Sequence, residues 1–196
     1  IEYLVRNNAD IETIELVVYE TDIDLITYSE DALIYLQKWL RRQNIKLDYL
    51  LNVKDFVLDN ASILKTKNLS MKLFAEPNNK ELFDIVISNP PYFKLSKDDK
   101  KTQVALELVS GQPNIYSIFM GIASKLLKEN GELIFITPRS FASGNYFKAF
   151  REYFFNAVQI ERIHLFNSRK DAFNRDRVLQ ETVIIKANKQ KLESKK

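Results

Sequence analysis

The chain has 196 residues, a formal net charge of +3 and no cysteine. Its 45% hydrophobic content can form one sizeable core, so we expect a single globular domain. Without cysteine there can be no disulfide and no cysteine-ligated zinc, and one histidine cannot build a histidine metal site, so we expect no metal. No apolar stretch approaches the roughly 20 residues that cross a bilayer, so we expect no membrane partner and a soluble, cytoplasmic protein. The mild positive charge permits a polyanionic partner without requiring one.

The first half of the chain alternates short apolar runs with a helical stripe, which is typical of an α/β fold. Strands are predicted at 14–19 and 47–53. Between them, Ser29 is predicted to cap a helix that carries basic residues in its last turn, near Arg42. The polar stretch 65–80 is predicted to be a loop.

The second half continues the alternation of strands and helices. The predicted elements, in chain order, are a strand at 83–88, a helix with Asn114 as N-cap, a strand at 132–137, an aromatic helix at 146–154, and strands at 159–165 and 181–186. Gly131 falls where a left-handed residue is expected at the end of the first of these helices. The Lys-rich stretch 189–196 is predicted to be a frayed tail.

A polar turn formed by Asn89, Pro90, Pro91 and Tyr92 directly follows the apolar run 83–88. It therefore stands at the carboxyl end of a predicted buried strand, where open α/β sheets bind their ligands. Two successive prolines fix φ near about −65° and remove two backbone donors. The side chain of Asn89 and the carbonyl of Pro90 can then project as acceptors from a rigid turn. Such a turn is suited to holding an amino group.

This turn and its strand resemble motif IV of the S-adenosylmethionine-dependent amino-methyltransferases. The segments 116–119, 131–141 and 178–182 follow the order seen in gamma-class N6-adenine DNA methyltransferases of type II restriction-modification systems, so the resemblance covers nearly the whole chain. It implies a Rossmann-like α/β sheet with helices on both faces and S-adenosylmethionine as the cofactor. It also implies methyl transfer to a flipped adenine in double-stranded DNA.

The resemblance also implies roles for the residues of the turn. Asn89 and Pro90 would accept hydrogen bonds from the two amino hydrogens of adenine, and Pro91 would keep the turn rigid. Asn89 would also border the cofactor. Tyr92 would stack on the flipped base, and Phe173, at the position that resembles motif VIII, could cover its other face.

Two further segments resemble the cofactor motifs of the family. Glu20 ends the first predicted strand, where a carboxylate can accept hydrogen bonds from two ribose hydroxyls. Asp55 and Phe56 follow the second predicted strand, where the carboxylate can accept from an adenine amino group and the ring can pack on the base. Their order and spacing before Asn89 match motifs II and III, so we expect all four residues to contact the cofactor.

The glycine-rich turn that follows the first strand of the family is not found in this sequence. The four glycines stand at positions 111, 121, 131 and 144, all after the Glu20 strand. We therefore expect the first strand of the sheet to be missing, which would leave unpaired edges on the Glu20 strand and on the Asn89 strand. The expected organisation is a partial catalytic core at 1–188 with a tail at 189–196.

The expected further partner is a restriction or target-recognition domain on other parts of the parent chain. Two alternatives stay open. One is a catalytically silent fragment or binding module that keeps the fold without the cofactor turn. The other is a protein glutamine N5-methyltransferase, because such enzymes share the Asn-Pro-Pro-Tyr motif.

Overall fold

The structure, a computed structural model, describes residues 1–7, 10–64, 82–109, 113–166 and 181–189. The chain divides into two compact units, Ile1–Asp59 and Asn60–Lys196. The predicted loop at 65–80, Phe173 and the tail beyond Lys189 lie outside the described residues.

The first unit contains a parallel pair of strands with helices around it. Its elements are α1 (Glu2–Asn7), β1 (Thr13–Tyr19), α2 (Ile23–Arg41), β2 (Lys46–Asn52) and the start of α3 (Phe56–Asn60). β1 and β2 pair in parallel, with Tyr19 opposite Asn52 at their carboxyl ends. Leu40, Ile45 and Leu47 form the buried core of the unit, and Trp39 packs against them. Both predicted strands are thus confirmed to within one residue at each end.

Helix α2 begins earlier than the sequence predicts. Asp22 is its N-cap, because the Asp22 side chain accepts a hydrogen bond of 3.0 Å from a backbone N–H of the first turn. The prediction of Ser29 as the cap is wrong, and that residue lies inside the helix. The helix begins earlier because the apolar side of α2 is longer than the sequence predicts. Leu33 and Leu40 are buried on this side, and the half-buried Ile26, seven residues before Leu33, extends it past Ser29.

The second unit is built on a mixed four-stranded sheet. Its helices and strands are a 3-10 helix at Ala61–Leu64, β3 (Phe83–Ser88), α4 (Lys100–Val104), α5 (Ile115–Leu126), β4 (Leu127–Pro138), 3-10 turns at Arg139–Ala142 and Asn145–Phe147, α6 (Lys148–Ala157), β5 (Val158–Leu165) and β6 (Thr182–Lys189). The strand order is β3-β4-β6-β5, in which β3 and β4 are parallel and β6 is antiparallel to both of its neighbours. The α/β prediction is confirmed.

The core of the second unit lies between this sheet and the helices α5 and α6, which also contact each other. Leu133 and Phe135 of β4 and Ile185 of β6 are buried, as are Phe150 and Phe154 of α6. The intervening residues of β4 and β6 are only half-buried, so the two faces of the sheet differ in exposure. Within the described residues, β1 pairs only with β2 and β3 only with β4, which leaves one unpaired edge on each, as the sequence predicts.

The end of α5 differs from the sequence prediction. The helix stops before Leu127, which already pairs with Phe83 as the first residue of β4. Gly131 therefore lies inside the strand, and the left-handed residue is Asn130, with φ of 63°. A Cβ on Gly131 would lie 3.0 Å from the carbonyl oxygens of Phe83 and Lys128. Glycine is thus required there for close approach of the two strands, and the prediction of a helix terminus at Gly131 is wrong.

Candidate active site

The Asn-Pro-Pro-Tyr turn leaves the carboxyl end of β3 beside the carboxyl end of β4. Ser88 is paired with Phe135, so the turn begins next to Ile136. Pro90 is buried, whereas the side chain of Asn89 is exposed to solvent. Within the described part of the chain, no hydrogen bond engages the carbonyl oxygen of Pro90. The turn therefore exposes an amide side chain at the end of a parallel strand pair, next to a buried proline whose carbonyl oxygen is not engaged by the described residues.

Tyr92 ties this turn to the neighbouring strand. Its hydroxyl lies 2.6 Å from Oδ1 of Asn89 and 2.9 Å from the carbonyl oxygen of Ile136. The ring of Tyr92 meets the ring of Tyr116 edge to face, with a centroid separation of 6.2 Å. Burial raises the pKa of the Tyr92 phenol to about 12, so the hydroxyl stays protonated at neutral pH. The tyrosine is consequently fixed at both its ring and its hydroxyl.

Tyr116 lies in the first turn of α5 and is almost completely buried. Its hydroxyl and Oγ of Ser140 are 2.9 Å apart. Burial raises the pKa of Tyr116 to about 12, although the hydrogen bond with Ser140 acts in the opposite direction. Tyr116 thereby connects the ring of Tyr92 with the segment that follows β4. Tyr116 belongs to a segment that resembles the family in sequence, but nothing in its immediate neighbours indicates this contact.

An arginine of α6 holds the segment that follows β4. The guanidinium of Arg151 donates to the carbonyl oxygens of Phe141 and Ser143, each at 3.1 Å, and of Gly144 at 2.8 Å. The left-handed φ of 74° at Gly144 suits glycine, and it aligns that carbonyl with the others. This three-point attachment was not predicted from the sequence.

In the first unit, Glu20 lies directly after β1. Its backbone N–H donates to the carbonyl of Asn52 at 3.1 Å, which continues the parallel pairing. Oε1 of Glu20 accepts hydrogen bonds from the backbone N–H groups of Thr21 and Asp22, both at 2.8 Å. Within the described residues no hydrogen bond engages Oε2. A carboxylate oxygen can accept two hydrogen bonds, so Oε2 could still receive both hydroxyls of a ribose.

Asp55 and Phe56 follow β2, at the same end of the strand pair as Glu20. Oδ1 of Asp55 accepts a hydrogen bond of 3.0 Å from the N–H of Leu58, so the Asp55 side chain caps the first turn of helix α3. Phe56 is half-buried, and its ring meets the ring of Tyr19 edge to face at 5.2 Å. Tyr19 is a further residue of this cluster that the sequence analysis did not single out.

The structure therefore brings Glu20, Asp55 and Phe56 together in the first unit, and the four turn residues together in the second. Phe173 lies outside the described residues. Over the described ranges, no group of three or more His, Cys, Asp or Glu residues could hold a metal ion. In the same ranges, none of the helices has both the length and the apolar character needed to span a membrane.

Comparison with protein families matches residues 11–173 to one described as the Eco57I restriction-modification methylase. The chain belongs to this family. The match includes β1 to β5 and extends to Phe173. The resemblance noted in the sequence is thereby confirmed at the level of the family.

Two bacterial relatives of this methylase domain are described as type II methyltransferases. The chain is 34% identical to the type II methyltransferase M.BsuBI of Bacillus subtilis over 173 residues, which are 87% of this chain and 33% of the relative. It is 38% identical to the type II methyltransferase M.PstI of Providencia stuartii over 130 residues, which are 66% of this chain and 24% of the relative. The chain thus spans a third or less of the length of these relatives.

A solved structure from Listeria monocytogenes, assigned to the class I S-adenosylmethionine-dependent methyltransferases, resembles the chain with a TM-score of 0.57. The alignment covers 99% of this chain and 58% of that one at 14% identity, so it informs on the fold alone. The Rossmann-like methyltransferase fold predicted from the sequence is confirmed, and S-adenosylmethionine is the cofactor that belongs to this family and fold. Oε2 of Glu20 and the ring of Phe56 are groups of the chemical type that a ribose hydroxyl and an aromatic base take as partners.

Proposed function

We propose that this methylase domain transfers a methyl group to N6 of adenine in double-stranded DNA, as the catalytic core of a restriction-modification system. The observation that carries the proposal is the turn itself: an exposed Asn89 amide and the Pro90 carbonyl stand at the carboxyl end of β3. Membership of the Eco57I restriction-modification methylase family supports DNA as the substrate class.

The turn has the two acceptors that a poorly nucleophilic amine requires. The lone pair of an exocyclic aromatic amine is delocalised into its ring, so the nitrogen reacts only when it is held and its developing positive charge is stabilised. Oδ1 of Asn89 and the carbonyl oxygen of Pro90 would each accept one amino hydrogen and place negative partial charge at the reacting nitrogen. When bound, S-adenosylmethionine supplies an electrophilic methyl group on sulfur.

An adenine in duplex DNA must leave the base stack to reach such a turn. That step costs a few kcal/mol, on the order of the stacking that an aromatic side chain returns. Tyr92 would provide one such surface, because its ring is already fixed by Tyr116 and by the end of β4. Phe173 would provide the other.

The cofactor contacts are proposed for the first unit. Oε2 of Glu20 would accept the ribose hydroxyls, Asp55 would accept from the adenine amino group of the cofactor, and Phe56 would pack on its base. The local hydrogen bonds on Glu20 and Asp55 would fix the direction in which each carboxylate points.

The acceptor is tested by methyl incorporation in the intact protein. Labelled S-adenosylmethionine is supplied with either duplex DNA or a glutamine-bearing peptide, and N6-methyladenine is quantified. We expect DNA to be methylated and Asn89→Ala to lower kcat by about 100-fold or more, which is typical for loss of one preorganised polar group. Asn156→Ala, a change of an exposed asparagine on α6, is the matched control and should leave the rate unchanged. Methylation of the peptide alone would refute the DNA proposal.

The cofactor residues are tested by calorimetry of S-adenosylmethionine binding to this chain. Glu20→Gln should weaken binding by about 10-fold or more, because hydrogen bonds to a charged acceptor contribute roughly 1.5–3 kcal/mol. Asp31→Asn removes the same charge from an exposed position of α2 and should not change the affinity. Absence of binding heat at millimolar cofactor would support the alternative of a catalytically silent fragment or binding module.

A further inference from the structure

The hydroxyl of Tyr92 stands between two oxygen atoms but carries a single proton. Oδ1 of Asn89 is 2.6 Å away and the carbonyl oxygen of Ile136 is 2.9 Å away. Only one of these oxygens can receive that proton as a well-directed hydrogen bond. The other would face the lone pairs of the hydroxyl at hydrogen-bond distance with no proton between them, which is an unfavourable contact between two acceptors.

The chemistry of the two partners decides which one receives the proton. The carbonyl of Ile136 can only accept, whereas the amide of Asn89 has an acceptor oxygen and a donor nitrogen that are nearly identical in shape. If the amide turns by half a rotation, Nδ2 of Asn89 donates to the Tyr92 hydroxyl, and the hydroxyl donates to Ile136. Every donor in this chain of hydrogen bonds then has an acceptor.

We propose that Tyr92 is a positioning residue for Asn89. The Tyr92 hydroxyl donates its proton to the carbonyl of Ile136 and accepts a hydrogen bond from Nδ2 of Asn89, so that Oδ1 of Asn89 points away from the protein. Oδ1 is then the atom offered to an incoming amino group. The inference rests on the proposed function for the identity of that amino group, but the hydrogen-bond direction does not depend on it.

Two features of the surroundings support a fixed rather than an adaptable arrangement. The Ile136 carbonyl belongs to a residue of β4 that pairs with Ile184 of β6, so it cannot move independently of the sheet. The edge-to-face contact with Tyr116 restricts rotation of the Tyr92 ring. Without this anchor, the exposed amide of Asn89 could present its NH2 group to another NH2 group, and the two would repel each other.

The direct test is nuclear magnetic resonance on this chain. The side-chain amide signals of Asn89 are identified by their loss in Asn89→Ala. In the wild type, we expect one amide proton to be in close contact with the ring protons of Tyr92 and to exchange slowly with water. In Tyr92→Phe, which keeps the ring and removes the hydroxyl, its exchange should accelerate by about 10-fold, the change expected for loss of one hydrogen bond. Tyr153→Phe is the matched control, because that hydroxyl is buried and has no hydrogen-bond partner within the described residues.

The kinetic test uses the intact protein and separates positioning from binding. Tyr92→Phe should lower kcat by about 10-fold while KM for DNA changes by less than about 2-fold, because the stacking surface is retained. Tyr153→Phe should leave both values unchanged. An equal kcat in wild type and Tyr92→Phe would overturn the proposal, as would an Asn89 amide signal that Tyr92→Phe does not alter.

Failure of the proposed function would give a different pattern from failure of this inference. If the wild-type protein methylates no DNA, the substrate proposal fails, and the amide signals still decide the orientation of Asn89. If Tyr92→Phe does not fold, the wild-type contact between the Asn89 amide and the Tyr92 ring decides it. Absence of that contact in the folded wild type refutes the positioning role.

Discussion

Replacing Arg151 should loosen the segment that follows β4. Its guanidinium makes three hydrogen bonds, to the carbonyl oxygens of Phe141, Ser143 and Gly144. Two of these bonds are exposed, so each is expected to contribute at the low end of the usual range of about 0.5–1.5 kcal/mol, and the third somewhat more. The sum predicts that Arg151→Ala costs about 1.5–2.5 kcal/mol in the free energy of unfolding of this segment.

The assay for Arg151 combines hydrogen exchange of peptides covering 139–147 with urea unfolding followed by circular dichroism. Arg151→Lys keeps the charge but has no planar fork, so it should retain only part of the stabilisation. Lys148→Ala is the control on the same helix, because its ion pair with Glu152 is exposed, has a separation of 3.9 Å and should contribute little. Unchanged exchange in this segment, with a loss below about 0.5 kcal/mol in Arg151→Ala, would refute the reasoning.

Three further outcomes are expected from the second unit. Gly121→Ala would place a Cβ against the methyl carbons of buried Leu108. Thermal unfolding should therefore show a loss of about 1–3 kcal/mol in stability, although alanine has the better helix propensity. An unchanged stability would mean that Leu108 moves aside. Tyr153→Phe removes a buried hydroxyl without a partner in the described part of the chain, so urea unfolding should show unchanged or slightly higher stability; a loss above about 1 kcal/mol would contradict this. Burial raises the pKa of Tyr92, Tyr116 and Tyr153 to about 12, above the ordinary value of 10.0. The contribution of these protonated phenols to the stability of the fold is therefore fully present below pH 10, and it is lost as the pH rises toward 12. Ultraviolet titration should show these phenols ionising later than exposed tyrosines, and ionisation of all nine tyrosines near pH 10 in the folded protein would disagree.

The strand β3 and its turn could be predicted because their signals are local. An apolar run specifies a strand, and two prolines restrict the backbone that follows it, whatever the rest of the chain does. The predicted burial of this strand is wrong, because every residue of β3 is half-buried or exposed and only one of its edges pairs with a described strand. The start of α2 could not be read in this way, since Asp22 and Ser29 are both acceptable caps. The structure decides for Asp22, whose side chain accepts from the N–H of Asp24, and it leaves Ile26 half-buried within the helix.

Contacts between distant residues were beyond the reach of the sequence. Gly131 carries the local signature of a helix terminus, but pairing of β4 with β3 ends the helix earlier and uses the glycine for close approach. No sequence pattern marks the carbonyl of Ile136 as a hydrogen-bond partner, because every residue has a carbonyl. Its contact with Tyr92 spans 44 positions of the chain and exists only because β3 and β4 are neighbours.

The sequence by itself determined the family, the alternation of strands and helices, and the chemical character of the turn at Asn89. Those properties depend on residue types and on the few residues that flank them. The tertiary structure alone decided which atoms surround the turn: the anchor of Tyr92 on β4, the packing of Tyr116 and the attachment by Arg151. Each of these contacts requires the order of strands in the sheet, and that order is set by burial of the whole core rather than by any short segment.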